Sequence, residues 1–256
     1  MALLVPDSPL AQKVVPSPNS GERRDGRRPD MLLLHYTGMR DAASALQRLA
    51  DPLAEVSCHY VALEDGRILQ MVPEAARAWH AGVSSWAGET DLNSASIGVE
   101  LVNPGHDGGY PDFPDAQIEA VTALGLDIVA RWRMPADRVL AHSDVAPGRK
   151  LDPGEKFPWE RLHRAGLGHW TKPAPLGDGR SFGPGEEGQP IQALQAMFGM
   201  YGYGLEVTGV YDARTEAVVA AFQRHFRQDL VDGVADASTI TTLRDLIRSR
   251  PAPPSA

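Results

Sequence analysis

One cysteine, Cys58, stands among 256 residues. No disulfide can form within the chain, which excludes a fold stapled by cross-links. Long apolar runs are missing as well. No stretch approaches the roughly 18 apolar residues of a membrane span. The opening MALLVPDSPLAQK has a short apolar run with no basic residue ahead of it, too little for a secretory core. The expected compartment is the cytoplasm, with periplasm or cell envelope the alternative if a leader has been removed. Positive charge is also scarce: 25 Lys and Arg face 33 Asp and Glu, a net −8. That excludes the electrostatic footprint of a nucleic-acid binder, so any affinity for an anionic surface must come from specific pockets. What is present, 43% hydrophobic and 23% charged residues, is ordinary for a globular protein.

Residues 1–30 are polar and carry prolines, which reads as an extended surface segment. MLLLHYT (31–37) reads as a buried strand ending at a histidine. DAASALQRLA (41–50) reads as a helix capped by Asp41. HYVALEDGRILQMV holds two strands around Asp65-Gly66, a hairpin signal. SIGVELV (96–102) is a third buried strand. Ile118, Val121, Ile128, Val129 and Trp132 form a helical stripe over 115–132. RVLAHSDV (138–145) reads as another strand, and FPWERLHRAG as a closing helix with Pro158 in its first turn. The mixture predicts an α/β fold, a mixed central β-sheet flanked by helices, over residues 31–167. Residues 168–188 are rich in glycine and proline and read as a linker. Residues 189–250 show three helical faces, around Ile191, Leu194 and Phe198, then Val218, Phe222 and Phe226, then Ile240, Leu243 and Ile247. They predict a small C-terminal three-helix bundle. VTGVYDART (207–215) and VDGVADAST (231–239) repeat at an offset of 24, each a Gly-Val turn followed by a capping Asp.

One loop concentrates chemistry: AHSDVAPGRKLDPG, residues 141–154. A hydrolytic zinc site needs three protein ligands and an open position for water. His35 ends one predicted strand and His142 lies near the end of another. Asp152 follows in a loop able to bend it back to the same centre. Glu100 interrupts an apolar strand, where burying a carboxylate is costly, and suits a general base. Lys150, two residues before Asp152, can stabilise a developing oxyanion. Ordinary surface or core roles for each of these residues stay open on spacing alone.

A larger pattern narrows the choice. LLLHYTG, SCHYVALEDGRI, AWHAGVSSW, LNSASIGVELVN and VLAHSDVAPGRKLDPG with FPW resemble, in order over residues 31–160, the type-2 N-acetylmuramoyl-L-alanine amidases. These zinc hydrolases cleave between the lactyl group of N-acetylmuramic acid and L-alanine of the stem peptide. The resemblance implies one zinc ion on His35, His142 and Asp152, with Glu100 catalytic and Lys150 beside the scissile carbonyl. It also suggests substrate contacts for Trp79, His80, Trp86, Asn93 and Asn103. His59 reads as structural, and His106, His163, His169 and His225 as without a role. The C-terminal unit resembles a three-helix peptidoglycan-binding domain; docking on the catalytic unit is its alternative role. The expected partners are peptidoglycan fragments, including 1,6-anhydro muropeptides, or the sacculus, and the expected process is muropeptide recycling or wall turnover. Two other functions stay open: a non-catalytic sensor of wall fragments, and a zinc peptidase cutting within the stem peptide.

Overall fold

The computed structural model describes residues 5–251; the chain's first four residues, part of the stretch read above for a leader, lie outside it. In chain order the strands are β1 (Ala11–Val14), β2 (Ser20–Glu22), β3 (Met31–Tyr36), β4 (Tyr60–Ala62), β5 (Ile68–Gln70), β6 (Ala76–Ala78), β7 (Ser96–Leu101) and β8 (Val139–Ala141). The helices are α1 (Ala42–Ala50), α2 (Leu92–Ala95), α3 (Asp115–Trp132), α4 (His142–Val145), α5 (Trp159–Arg164), α6 (Gln189–Tyr201), α7 (Ala213–Phe226) and α8 (Ala237–Ser249). Six strands form the central sheet in the order β1-β5-β4-β7-β3-β8. β4, β7, β3 and β8 run parallel, and the hairpin partner β5 runs antiparallel to β4. The mixed α/β fold is as the sequence predicts.

β3 shows how the sheet is covered. Side chains alternate across a strand. Leu32 and Leu34 belong to one core with Ile97, Val99 and Leu101 of β7 and with Ile118, Val121, Leu124 and Ile128 of α3. Met31 and Leu33 belong to a different core, built largely by α6, α7 and α8. Each fully buried aliphatic side chain contributes about 1.5–3 kcal/mol relative to exposure. The C-terminal helices therefore share one core with Met31, Leu33 and Leu140 on one face of the sheet.

The two repeat turns are built alike. Gly209 and Gly233 adopt left-handed φ of 80° and 73°, where a side chain is strained. A buried glutamine on the preceding helix grips each turn. Gln195 Oε1 accepts from Gly209 N–H at 2.8 Å, and Gln195 Nε2 donates to Val210 O at 3.0 Å. Gln223 does the same to Gly233 N–H at 2.8 Å and Val234 O at 2.9 Å. Asp212 and Asp236 then cap α7 and α8 by accepting from Thr215 and Thr239 N–H.

Two expectations change. The strand read over 138–145 stops at Ala141, because the Asp144 carboxylate turns back to accept from Ala141 N–H at 2.8 Å and closes a helical turn. The N-terminal segment is extended but not loose. β1 pairs with β5 at the sheet edge. Buried Arg23 donates to the carbonyls of Glu74, Ser94 and Ser96, so burial is repaid by backbone acceptors.

Candidate metal centre and active site

Three strands deliver the site from their carboxyl ends, where parallel sheets place ligands. His35 is the next residue after Leu33 on the same face of β3, and β7 pairs in a register that sets Glu100 beside it. His142 opens α4 immediately after β8. Asp152 returns through the glycine-proline loop, where Ser143 N–H donates to its carbonyl at 2.9 Å and fastens the loop to α4.

The three donor atoms converge. His35 Nδ1 lies 2.9 Å from His142 Nδ1 and 3.1 Å from Asp152 Oδ2, and His142 Nδ1 lies 3.0 Å from the same oxygen. The outer nitrogens fix the tautomers. His142 Nε2 donates to Ala81 O at 3.1 Å. Ser96 Oγ donates to Leu92 O and so accepts from His80 Nε2 at 3.3 Å, which leaves His80 Nδ1 to accept from His35 Nε2 at 3.0 Å. Both inner nitrogens therefore present lone pairs to a carboxylate oxygen, an arrangement that repels itself unless a cation joins it. Ligands about 2.0–2.1 Å from a tetrahedral zinc ion stand about 3.3 Å apart, which fits. Burial and the neighbouring His142 push the His35 pKa down to about 4, keeping the neutral, ligating imidazole. Burial alone would raise the Asp152 carboxyl, but His142 and His35 hold it well below the usual carboxylate range.

Glu100 is the chemically unsatisfied group. Its Oε2 is buried with no hydrogen-bond partner among the described residues. Burial first, and Asp152 second, push its carboxyl well above the ordinary value. It lines a cleft of about 260 Å³ together with Tyr36, Trp79, His80, Lys150 and Asp152. Of the five central residues read from the sequence, Glu100, His142, Lys150 and Asp152 line the cleft, and His35 adjoins it through its cluster with His142 and Asp152.

The suggested substrate contacts divide. Trp79 is half-buried on the cleft wall. His80 also lines the cleft but is buried behind His35 and bonded to it, so its geometry serves the ligand. It fits there because Gly98 has no side chain; a Cβ would meet the ring at 2.5 Å. Trp86 is a correction. It is fully buried, edge-on to Tyr203 at 4.9 Å and Tyr201 at 6.0 Å, and so seals the two units rather than facing a ligand. Asn93 Oδ1 accepts from His80 and Ala81 N–H, and Asn103 donates to Pro111 O and accepts from Gly105 N–H. Both amides hold loops in place.

Three histidines set aside in the sequence have roles. His106 accepts or donates at 2.9 Å to Tyr36 OH, so it orients a cleft residue that the sequence reading missed although it adjoins His35. His169 bonds Tyr201 OH and Ser249, and His225 bonds Asp144; both join the two units. His59 is structural as expected: Nδ1 accepts from Gly98 N–H at 2.9 Å and Nε2 donates to Ala76 O at 3.1 Å. Arg149 is a second omission. It donates to Ala81 O at 2.6 Å and Val83 O at 3.0 Å, clamping the loop that also receives His142 Nε2.

The chain is similar to known proteins. Residues 25–155 match the family model of N-acetylmuramoyl-L-alanine amidase, and residues 187–243 match that of a peptidoglycan binding domain. The N-acetylmuramoyl-L-alanine amidase AmiD of Escherichia coli is 37% identical over 221 residues, covering 82% of this chain and 79% of the relative. The 1,6-anhydro-N-acetylmuramyl-L-alanine amidase AmpD of Enterobacter cloacae is 34% identical over 168 residues, 58% of this chain and 87% of the relative. A solved complex of E. coli AmiD with anhydro-N-acetylmuramic acid-L-Ala-D-γ-Glu-L-Lys superposes with a TM-score of 0.74 at 36% identity, covering 88% and 91% of the two chains. AmpDh3 of Pseudomonas aeruginosa gives 0.73 at 33%, covering 89% and 94%. With a family model matched over residues 25–155 and a relative 37% identical over 82% of the chain's length, the chain belongs to the N-acetylmuramoyl-L-alanine amidase family.

Proposed function

We propose that this chain is a zinc-dependent N-acetylmuramoyl-L-alanine amidase acting on soluble anhydro-muropeptides, with a catalytic unit over 31–167 joined by the 168–188 segment to a peptidoglycan-binding-like unit over 189–250. The observation that carries the reading is the convergence of His35 Nδ1, His142 Nδ1 and Asp152 Oδ2 within 3.1 Å of one another, with Glu100 in register beside His35. The substrates named in the solved relatives, an anhydro-muramyl tripeptide and an anhydromuramic pentapeptide, support the substrate class.

His35, His142 and Asp152 would hold the ion. When bound, zinc would supply Lewis-acid chemistry at the scissile carbonyl and lower the pKa of a bound water to about 7. Glu100 takes the proton from that water. It then hands that proton to the departing L-alanine nitrogen. The Lys150 ammonium faces the carbonyl oxygen as negative charge grows there. His80 and Ala81 O hold the two imidazoles in their ligating tautomers.

The test is digestion of anhydro-muramyl tripeptide beside intact sacculi, with product masses. An amidase releases the intact stem peptide carrying a free L-alanine. Fragments of the stem would instead mark a peptidase, and undigested substrate with zinc bound would mark a sensor. Glu100→Gln should keep zinc and lower kcat by about 10²–10⁴-fold. Full activity in that variant removes Glu100 from the chemistry.

A further inference from the structure

Asp144 is a fully buried carboxylate that the chemistry above does not use. Such a charge is expensive to desolvate, and an apolar residue of similar size is often as stable or more so. Here both oxygens are hydrogen-bonded, by three donors in all. Ala141 N–H and His225 Nδ1 both donate to Oδ2, at 2.8 and 2.6 Å, and Tyr203 OH donates to Oδ1 at 2.7 Å. Asp144 sits in α4, two residues after the ligand His142. Two of its three donors come from the C-terminal unit.

The same unit touches the rest of the ligand-bearing loop. Arg214 donates to Pro147 O at 3.2 Å, and Gln228 donates to Phe157 O at 2.8 Å. A Cβ on Gly148 would lie 3.1 Å from the Ala217 methyl, so α7 rests against the stretch leading to Lys150. Trp159 stacks on the His225 ring at 3.7 Å and locks its orientation. On the inner side, Ser143 N–H ties α4 to Asp152. The turn carrying one ligand is therefore held between the third ligand and the C-terminal unit.

Resting on the zinc reading above, we infer that Asp144, gripped by His225 and Tyr203, is a positioning residue through which the C-terminal unit sets His142 and the Lys150–Asp152 loop. The C-terminal unit is then a structural part of the metal centre, whatever polymer it binds. Removing either grip lets α4 shift, and the ligand geometry loosens with it.

The experiment uses the full chain and reads zinc affinity by competition with a chromophoric chelator, alongside thermal unfolding and separate kcat and KM. Tyr203→Phe and His225→Phe should each weaken zinc by about tenfold or more, the scale of lost outer-shell support, and lower kcat more than they raise KM. His225→Asn keeps a donor near the Nδ1 position and should recover most of the affinity. Arg250→Ala is the control for mere docking. Arg250 donates to Asp137 at 2.6 Å and Met200 O at 2.8 Å, joining the units away from α4. It should lower stability and leave zinc affinity unchanged. A folded Tyr203→Phe that binds zinc within about twofold of the parent overturns the inference, as does an equal loss in Arg250→Ala. Tyr203→Phe decides alone if the His225 variants do not fold. A parent chain that binds no zinc overturns the metal reading itself.

Discussion

Trp86→Ala separates two roles that one residue could have. The sequence block around it suggests a substrate contact, whereas the structure buries it completely between the units, against Tyr201 and Tyr203, with Gly202 close enough that a Cβ there would meet the indole at 2.5 Å. An aromatic side chain of this kind buries about 150–250 Å², worth about 4–6 kcal/mol at about 25 cal/mol per Å². Measured Trp→Ala costs of about 3–5 kcal/mol agree. In a chain of this size each kcal/mol moves Tm by about 2–4 °C, so the expected fall is about 6–20 °C. Calorimetry checks it. Because one core runs through both units, the transition should stay single and move as a whole. Below that transition the KM for anhydro-muramyl tripeptide should match the parent. A variant with unchanged Tm and a KM raised about tenfold, a 1.4 kcal/mol loss of binding, would refute burial as the role of Trp86.

Chelation of the metal should abolish amide cleavage and lower Tm, and zinc should restore both; at free zinc of about 100 times Kd the stabilisation is about 2.7 kcal/mol. His59 should make the fold acid-sensitive. Burial, and then the adjacent Arg23, push its pKa from 6.5 to about 3, so the fold favours the neutral ring. That stability is fully present above pH 6.5 and is lost as pH falls toward 3, at about 1.4 kcal/mol per unit. Urea unfolding at pH 7 and 4.5 should show a smaller difference for His59→Gln than for the parent, and equal differences would exclude His59 as the sensor. Gly209→Ala and Gly233→Ala should each cost about 1–2 kcal/mol, the penalty of a left-handed L-residue, read as a lower urea midpoint. A neutral result at either would mean that its turn relaxes.

Much of this molecule was legible because its signals are local. Short apolar runs mark β3 and β7, helical spacing marks α3 and α6 to α8, and Asp41, Asp212 and Asp236 announce the helices they cap. The five central site residues were legible through motif blocks; four of them line one cleft, and His35 joins it through His142 and Asp152. The interface was not legible. Asp144 meets Tyr203 across 59 positions and His225 across 81, and nothing in the spacing of a lone histidine on α7 announces that its ring will stack on Trp159. The misread strand end at 142–145 has a local origin. His142-Ser143-Asp144-Val145 continues directly from the apolar run of β8, and the bond from Ala141 N–H to the Asp144 carboxylate decides for a turn. Tyr36 and Arg149 escaped because their partners, His106 and two loop carbonyls, are distant in sequence.

The alternation along β3 has one more consequence. Met31, Leu33 and His35 point one way, and Leu32, Leu34 and Tyr36 the other. Insertion or deletion of a single residue that slips β3 by one position would invert this pleat, turning an imidazole toward α3 and presenting the wrong leucines to the bundle. Amide cleavage and the seating of the C-terminal helices would vanish in the same variant, because both are read out from the odd-numbered positions of one six-residue strand.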